Sequence, residues 1–161
     1  MSNSNLLLKE AKISDFDTYY LIRSEPTNLF WTGYKEPPNY QNFSIWYKER
    51  LRDNSRKLFL LYEGKHCVGS LNIDFYDGYA FIGYSVRENY EGKGFGTFIV
   101  KNAITFISER TNINSIKAWI NFQNIGSIKV VEKNGFKRTT TSETRQRFGN
   151  EEPYFLYEIH L

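Results

Sequence analysis

The stretch Glu91-Gly92-Lys93-Gly94-Phe95-Gly96-Thr97 sets glycines at alternate positions between two ordered runs. Before it lies Ala80-Phe81-Ile82-Gly83-Tyr84-Ser85-Val86, strand-like in its aromatic and β-branched content. After it, Thr97-Phe98-Ile99-Val100-Lys101-Asn102-Ala103-Ile104 reads as a helix. Glycine lets the backbone take positive φ and lets a ligand approach the main chain closely. A helix opening at such a loop turns free N–H groups and the positive end of its dipole outward. Strand, glycine loop and helix in this order suit an anion, above all a phosphate. The plain alternative is a turn with no ligand.

Outward from the loop, the chain reads as alternating elements. Residues 5–10 form a short strand. Ser14-Asp15 opens a helix whose apolar face carries Phe16, Tyr19, Tyr20 and Ile22, and Pro26 ends it. Thr27–Asn39 reads as a loop rich in aromatics and prolines, with Phe30, Trp31 and Tyr34 either lining a substrate or plugging a core edge. Asn39 or Asn42 caps a second helix with Phe43, Trp46, Tyr47 and Leu51 on one face. Strands Leu58–Tyr62, Cys67–Phe75 and Tyr79–Val86 follow, punctuated by Glu63-Gly64-Lys65 and by Tyr76-Asp77-Gly78. Thr97–Arg110 is a helix, Ser115–Asn121 a strand, and Asn124–Asn134 a short helix stopped by Gly135 and Phe136. Phe136–Thr141 and Tyr154–Leu161 complete the strands, with Ser142–Pro153 as a polar loop between them. No repeat or linker interrupts the order, which predicts one α+β domain over 1–161.

The totals narrow the function. A chain of 161 residues buries a sizeable core. A net charge of +3, with 21 Lys and Arg spread along the chain, suits a small anionic ligand and argues against nucleic acid. The longest N-terminal apolar run, Leu6-Leu7-Leu8, is too short for a signal peptide or a membrane helix. The single cysteine, Cys67, lies in an apolar run and reads as a small buried hydrophobe in a cytoplasmic protein. His66 and His160 do not make a metal site.

Thirty residues after Gly94 comes Asn124-Ile125-Gly126-Ser127-Ile128-Lys129-Val130-Val131-Glu132-Lys133-Asn134-Gly135-Phe136. With the glycine loop, this segment resembles the GNAT N-acetyltransferase superfamily. That family's glycine signature, Gln/Arg-x-x-Gly-x-Gly/Ala, is matched by Gly94 and Gly96. Its second signature, an Asn and often a Ser before a short helix ending in Gly-Phe, is matched by Asn124, Ser127, Gly135 and Phe136. The resemblance covers nearly the whole chain. It implies a central mixed, mostly antiparallel sheet of about six or seven strands flanked by about four helices. A Walker phosphate loop is excluded because no Gly-x-x-x-x-Gly-Lys-Ser/Thr string is present. A dinucleotide loop is disfavoured because the preceding strands read as an antiparallel meander.

The resemblance implies acetyl transfer from acetyl-CoA to a primary amine of a small molecule or a protein N-terminus, by direct attack in a ternary complex. By likeness, the amides of Glu91, Gly92, Lys93, Gly94, Phe95, Gly96 and Thr97 hold the CoA pyrophosphate, and Lys93 adds charge at the mouth. Val86 meets the pantetheine arm where the sheet splays beyond it, and Asn124 and Ser127 bond the pantetheine region. Within the aromatic loop, Trp31 and Tyr34 are the candidates to line the acceptor. A homodimer accords with the family. Against the family pattern, Glu91 replaces Gln or Arg. Positions that handle protons in relatives fall on Val131, Trp119 and Phe81 or Ile82. Asp74, Tyr84 and Glu36 are the residues left to supply a base. The rival reading is a CoA-binding module without transferase activity.

Overall fold

The computed structural model describes residues 5–161. In chain order its elements are β1 (Leu6–Glu10), α1 (Phe16–Ser24), α2 (Pro26–Thr32), α3 (Tyr40–Arg52), β2 (Arg56–Glu63), β3 (His66–Phe75), β4 (Tyr79–Val86), α4 (Phe95–Arg110), β5 (Ser115–Asn121), α5 (Ile125–Lys133), β6 (Lys137–Arg147) and β7 (Asn150–His160). Single 3-10 turns at Ile13–Asp15 and Glu88–Tyr90 lead into α1 and into the glycine loop. The seven strands form one sheet in the order β1-β2-β3-β4-β5-β7-β6. Every neighbouring pair is antiparallel except β4–β5, which is parallel. This is the expected α+β sheet, with five α-helices rather than about four.

The strand alternation sends side chains to two cores. On β2, Leu58 and Leu60 pack with Tyr19, Ile22, Tyr47 and Cys67 beneath α1 and α3. Phe59 and Leu61, the intervening residues, face the other way and join Leu71, Ile73, Ile82, Ile99, Val100, Ile107, Val131 and Phe136 under α4 and α5. The sheet is therefore covered on both faces, and α4 lies over β3 and β4.

Three expectations need correction. Residues 27–39 are not all loop, because Pro26 starts α2 instead of only ending α1. Proline is well suited to the first helical position, where its missing N–H has no intrahelical use. Gly33, at φ 84°, closes that helix. Ser142–Pro153 is not a loop either. It is the paired part of β6 and β7, turned by Phe148 at φ 51° and Gly149 at φ 80°. Two successive positive-φ residues make the hairpin turn that matches strand twist. The polar run hid it because β6 buries only Arg147 and so shows no apolar alternation. The helix after the glycine loop also starts earlier, at Phe95.

Cys67 is 7% exposed and unpaired, in keeping with a core role. Burial pushes its thiol up to about 11 from an ordinary 9.0. A folded-state pKa above the unfolded one gives stability that is intact below about pH 9 and declines as pH climbs toward 11. Native protein at about pH 8 should therefore resist modification by a dithionitrobenzoate reagent, and denatured protein should react at once. Rapid labelling of the folded chain would contradict this burial.

Candidate active site

The parallel pairing of β4 with β5 covers only Tyr79–Ser115, Ala80–Ile116 and Phe81–Lys117. Beyond those residues the strands part. From Ala118 onward β5 continues along β7, while Ile82–Val86 continue along β3. One edge of Ile82–Val86 is thus left without a strand. The opening begins after Phe81, not beyond Val86 as the sequence reading placed it, so the resulting wedge is longer. Tyr84 spans it: its hydroxyl donates to the Ser127 carbonyl at 3.2 Å. Asn124 Oδ1 accepts the Ser127 N–H at 3.2 Å and caps α5. The two bonds fix the start of α5 beside the gap.

A cleft of about 880 Å³ runs along this wedge. It brings together Tyr84, Val86, Glu91, Gly92, Gly94, Phe95, Gly96, Thr97, Asn124 and Ser127, with Trp31 and Tyr34 on another wall. Lys93 is not part of the lining, and its ammonium sits 5.6 Å from the centre of the Tyr90 ring. Asp74 and Glu36 do not reach the cleft. Asp74 lies at the end of β3, 2.8 Å from Arg50 Nη2, where it neutralises an arginine side chain only 5% exposed. Glu36 is exposed in the segment after α2.

The glycine loop gives α4 a bare N-terminus. Gly94 is the N-cap at φ 85°, with no side chain bonded into the cap. The first N–H groups of a helix have no intrahelical acceptor, so those of Phe95, Gly96 and Thr97 are available to an anion. A Cβ on Gly94 would meet open space, so glycine is needed there for its backbone conformation alone. At Gly96 the reason is packing, since a Cβ would lie 3.2 Å from Val130 Cγ2 of α5. Lys129 and Lys133, four apart on α5, also line the cleft and add positive charge. The carboxyl of Glu91 is raised above the usual range by burial first, then by Glu88 and Glu25.

The opposite wall is α2, and two clamps hold it. At its start, Thr27 donates its N–H and its hydroxyl to Glu88 Oε1, at 2.8 and 2.6 Å, and Arg87 Nη2 meets Glu25 Oε2 at 3.1 Å. The second clamp is Arg147, whose side chain is 5% exposed. Its Nε and Nη2 fork onto Glu152 at 2.9–3.1 Å, and its Nη1 donates to the Phe30 carbonyl at 2.9 Å. The guanidinium also lies 4.6 Å from the Phe30 ring and 5.3 Å from the Trp31 ring. Phe30 thus ties α2 to the β6–β7 hairpin, and its neighbour Trp31 faces the cleft.

Proton-handling groups are few. Burial pushes the Tyr84 phenol up to about 12, so it holds its proton at neutral pH and serves as a donor, not a base. Val131 is fully buried in the core, and Trp119 lines the cleft as an indole. Among the described residues, Glu91 is the lone carboxylate of the lining, and no histidine lines it. Sequence reading missed Arg23, Asn28, Lys129, Lys133 and Arg145 in this lining. The four-residue spacing of the two lysines on a short helix was a usable signal. Arg23 gave none, being one of 21 cations.

A model of the acetyltransferase (GNAT) domain matches residues 5–137. Among solved structures, the fold is similar to a spermidine N-acetyltransferase from Vibrio cholerae in complex with CoA and spermine. That match has a TM-score of 0.87 and 16% identity, over 98% of this chain and 96% of that one. A proposed acetyltransferase from Salmonella typhimurium with its cofactor acetyl-CoA matches at a TM-score of 0.78 and 18% identity, over 98% and 94% of the two chains. A proposed phosphinothricin N-acetyltransferase matches at 0.80 and 21% identity, over 96% and 98%. No curated protein matches the chain.

The Arg147 clamp carries a prediction. Hydrogen bonds from Arg147 and Asn121 hold the Glu152 carboxyl below the usual range. Its contribution to stability is present above the ordinary carboxylate pKa and is lost as pH falls through the lowered one. Glu152→Ala leaves a buried guanidinium without its counter-ion and should cost about 3 kcal/mol in a denaturant titration near neutral pH. Unchanged stability would show that the clamp does not hold this wall.

Proposed function

The chain belongs to the acetyltransferase (GNAT) domain family and is an acetyl-CoA-dependent acyltransferase, and we propose that it transfers acetyl to the primary amine of a small molecule within the wedge between β4 and β5. The observation that carries this reading is the continuity of one cleft: a bare helix N-terminus at one end, an unpaired strand edge in the middle and a separate wall on α2.

Each part has a matching role. The N–H groups from Gly92 to Thr97 take the pyrophosphate, with Lys129 and Lys133 supplying counter-charge. The free edge of Ile82–Val86 accepts the pantetheine amides as an added strand would. That edge also aims backbone N–H groups at the thioester oxygen, where charge develops on attack. Acetyl-CoA supplies an activated acyl carbon; attack by a neutral amine forms the C–N bond, breaks the C–S bond and releases the thiolate, which takes up the proton that the nitrogen loses. Asn124 and Tyr84 position α5 so that the arm stays extended.

The poverty of bases selects among amines. Freeing a lysine-like amine of its proton at pH 7 costs about 4–5 kcal/mol, against about 1 kcal/mol for the α-amine of a peptide. A cleft lined by no free carboxylate except Glu91, with Tyr84 protonated, suits amines less basic than lysine's. Asp74 and Glu36 stand outside the cleft, so neither is proposed as the base. A thiol pKa near about 8.5 makes the leaving group tolerable without an acid, which fits the apolar Val131. The unpaired Cys67 supports a cytoplasmic setting.

Gly94→Val forces a β-branched residue into the left-handed region at the N-cap, where φ is 85°. Acetyl-CoA affinity measured by calorimetry should fall at least about tenfold, while the chain stays folded with a melting temperature lowered by several degrees. Wild-type affinity in this variant would remove the glycine loop from the donor site.

A further inference from the structure

We propose that the acceptor amine also carries a carboxylate, and that Arg23 on the α1–α2 wall binds it. This rests on the acetyl-transfer reading above and narrows its substrate to amino-carboxylates, as distinct from polycationic amines.

The charges of the lining point this way. Lys129 and Lys133 belong to α5, beside the N-terminus of α4, and Arg145 is paired with Glu143. Arg23 has no carboxylate partner among the described residues. Glu25, two residues on, pairs with Arg87; Glu88 accepts from Thr27, and Asp74 pairs with Arg50. The side chain is nonetheless held in place. Its Nη1 donates to Tyr19 Oη at 3.2 Å, and its guanidinium lies 5.6 Å from the centre of the Phe43 ring. Tyr19 is itself fully buried and also accepts from Asn72 Nδ2, so the phenol cannot drift. A fixed, partly buried guanidinium facing a cleft without its counter-ion is a receptor for a planar anion, and carboxylate matches its fork.

A second orphan lies on the same wall. Asn28 Oδ1 is buried with no hydrogen-bond partner, as is Arg23 Nε. One is an acceptor and the other a donor, and both belong to side chains that line this cleft. An amino-carboxylate offers the complementary pair, with N–H for Asn28 and carboxylate oxygen for Arg23. A polyamine offers only donors, and it meets a cation where it needs an anion. Trp31 on α2 adds an apolar surface for the remainder of the acceptor.

The test is a thiol-release assay with saturating acetyl-CoA over a set of L-α-amino acids. Each is paired with its decarboxylated amine, and spermidine is included. The wild-type enzyme should favour the acid of the best pair by at least about tenfold in kcat/KM. Arg23→Met should cut that value about 10- to 100-fold, chiefly through KM. The same variant should leave the decarboxylated amine within about twofold and acetyl-CoA affinity unchanged, and Arg23→Lys should recover part of the loss. Equal or better turnover of the decarboxylated amine or spermidine overturns the carboxylate assignment alone. So does an Arg23→Met variant that keeps its preference or loses acetyl-CoA binding. A protein that binds acetyl-CoA and acetylates no amine overturns acetyl transfer itself, and this inference with it.

Discussion

The parting of β4 from β5 after Phe81 and Lys117 is the constraint from which the rest of the site follows. Each strand has a stronger commitment on its other side. β3 runs along β4 to Val86, and β7 runs along β5 to Asn121. The right-handed twist of a sheet turns neighbouring strands apart as they lengthen, and here the shared pairs end before the strands do. Unpaired strand edges are a liability in most proteins. In this one the edge is enclosed between α5 and α2, where it can serve a single extended ligand.

Around that edge the two walls differ in character. The α4–α5 side is main chain and positive charge: a helix start at Gly94, close helix packing at Gly96, and Lys129 and Lys133 above. The α2 side is built from side chains. It depends on polar clamps that reach far along the chain, from Thr27 to Glu88 and from Phe30 to Arg147. In the proposed function, the first wall takes a phosphate by backbone geometry that any glycine-containing loop of this shape provides. The second takes the acceptor through individual residues, so acceptor choice would vary without disturbing the donor site. The Arg147–Glu152 pair illustrates the division, since neither residue lines the cleft and yet Arg147 holds Phe30, beside Trp31.

The parts legible in sequence were those governed by local rules. The glycine loop, the Asn124 cap and the Gly135-Phe136 stop each declare themselves within a few residues, and the Asp77-Gly78 turn announced the β3–β4 hairpin. Val86, Glu91, Gly92, Gly94, Phe95, Gly96, Thr97, Asn124 and Ser127 were named from these signals together with the family likeness and all line the cleft, whereas Lys93, named with them, does not. What escaped was set by distant partners. Pro26 looked like a helix end because its role as the first residue of α2 depends on chain direction. The second half of β6, from Ser142, looked like a loop because its exposed polar residues earn their place by pairing with β7, not by burial. Asp74 looked like a free acid because nothing local shows that Arg50, on α3, meets it across the sheet face. Arg23 is the same case reversed: only the fold shows that Glu25, Glu88 and Asp74 are engaged with other residues.

A crystal structure with acetyl-CoA tests the central claim most directly. The account predicts the pyrophosphate on the N–H groups of Gly92–Thr97, the pantetheine arm along the open edge of Ile82–Val86, and the thioester between β4 and β5 facing α2. A donor bound elsewhere, or an arm that leaves that strand edge empty, would contradict it.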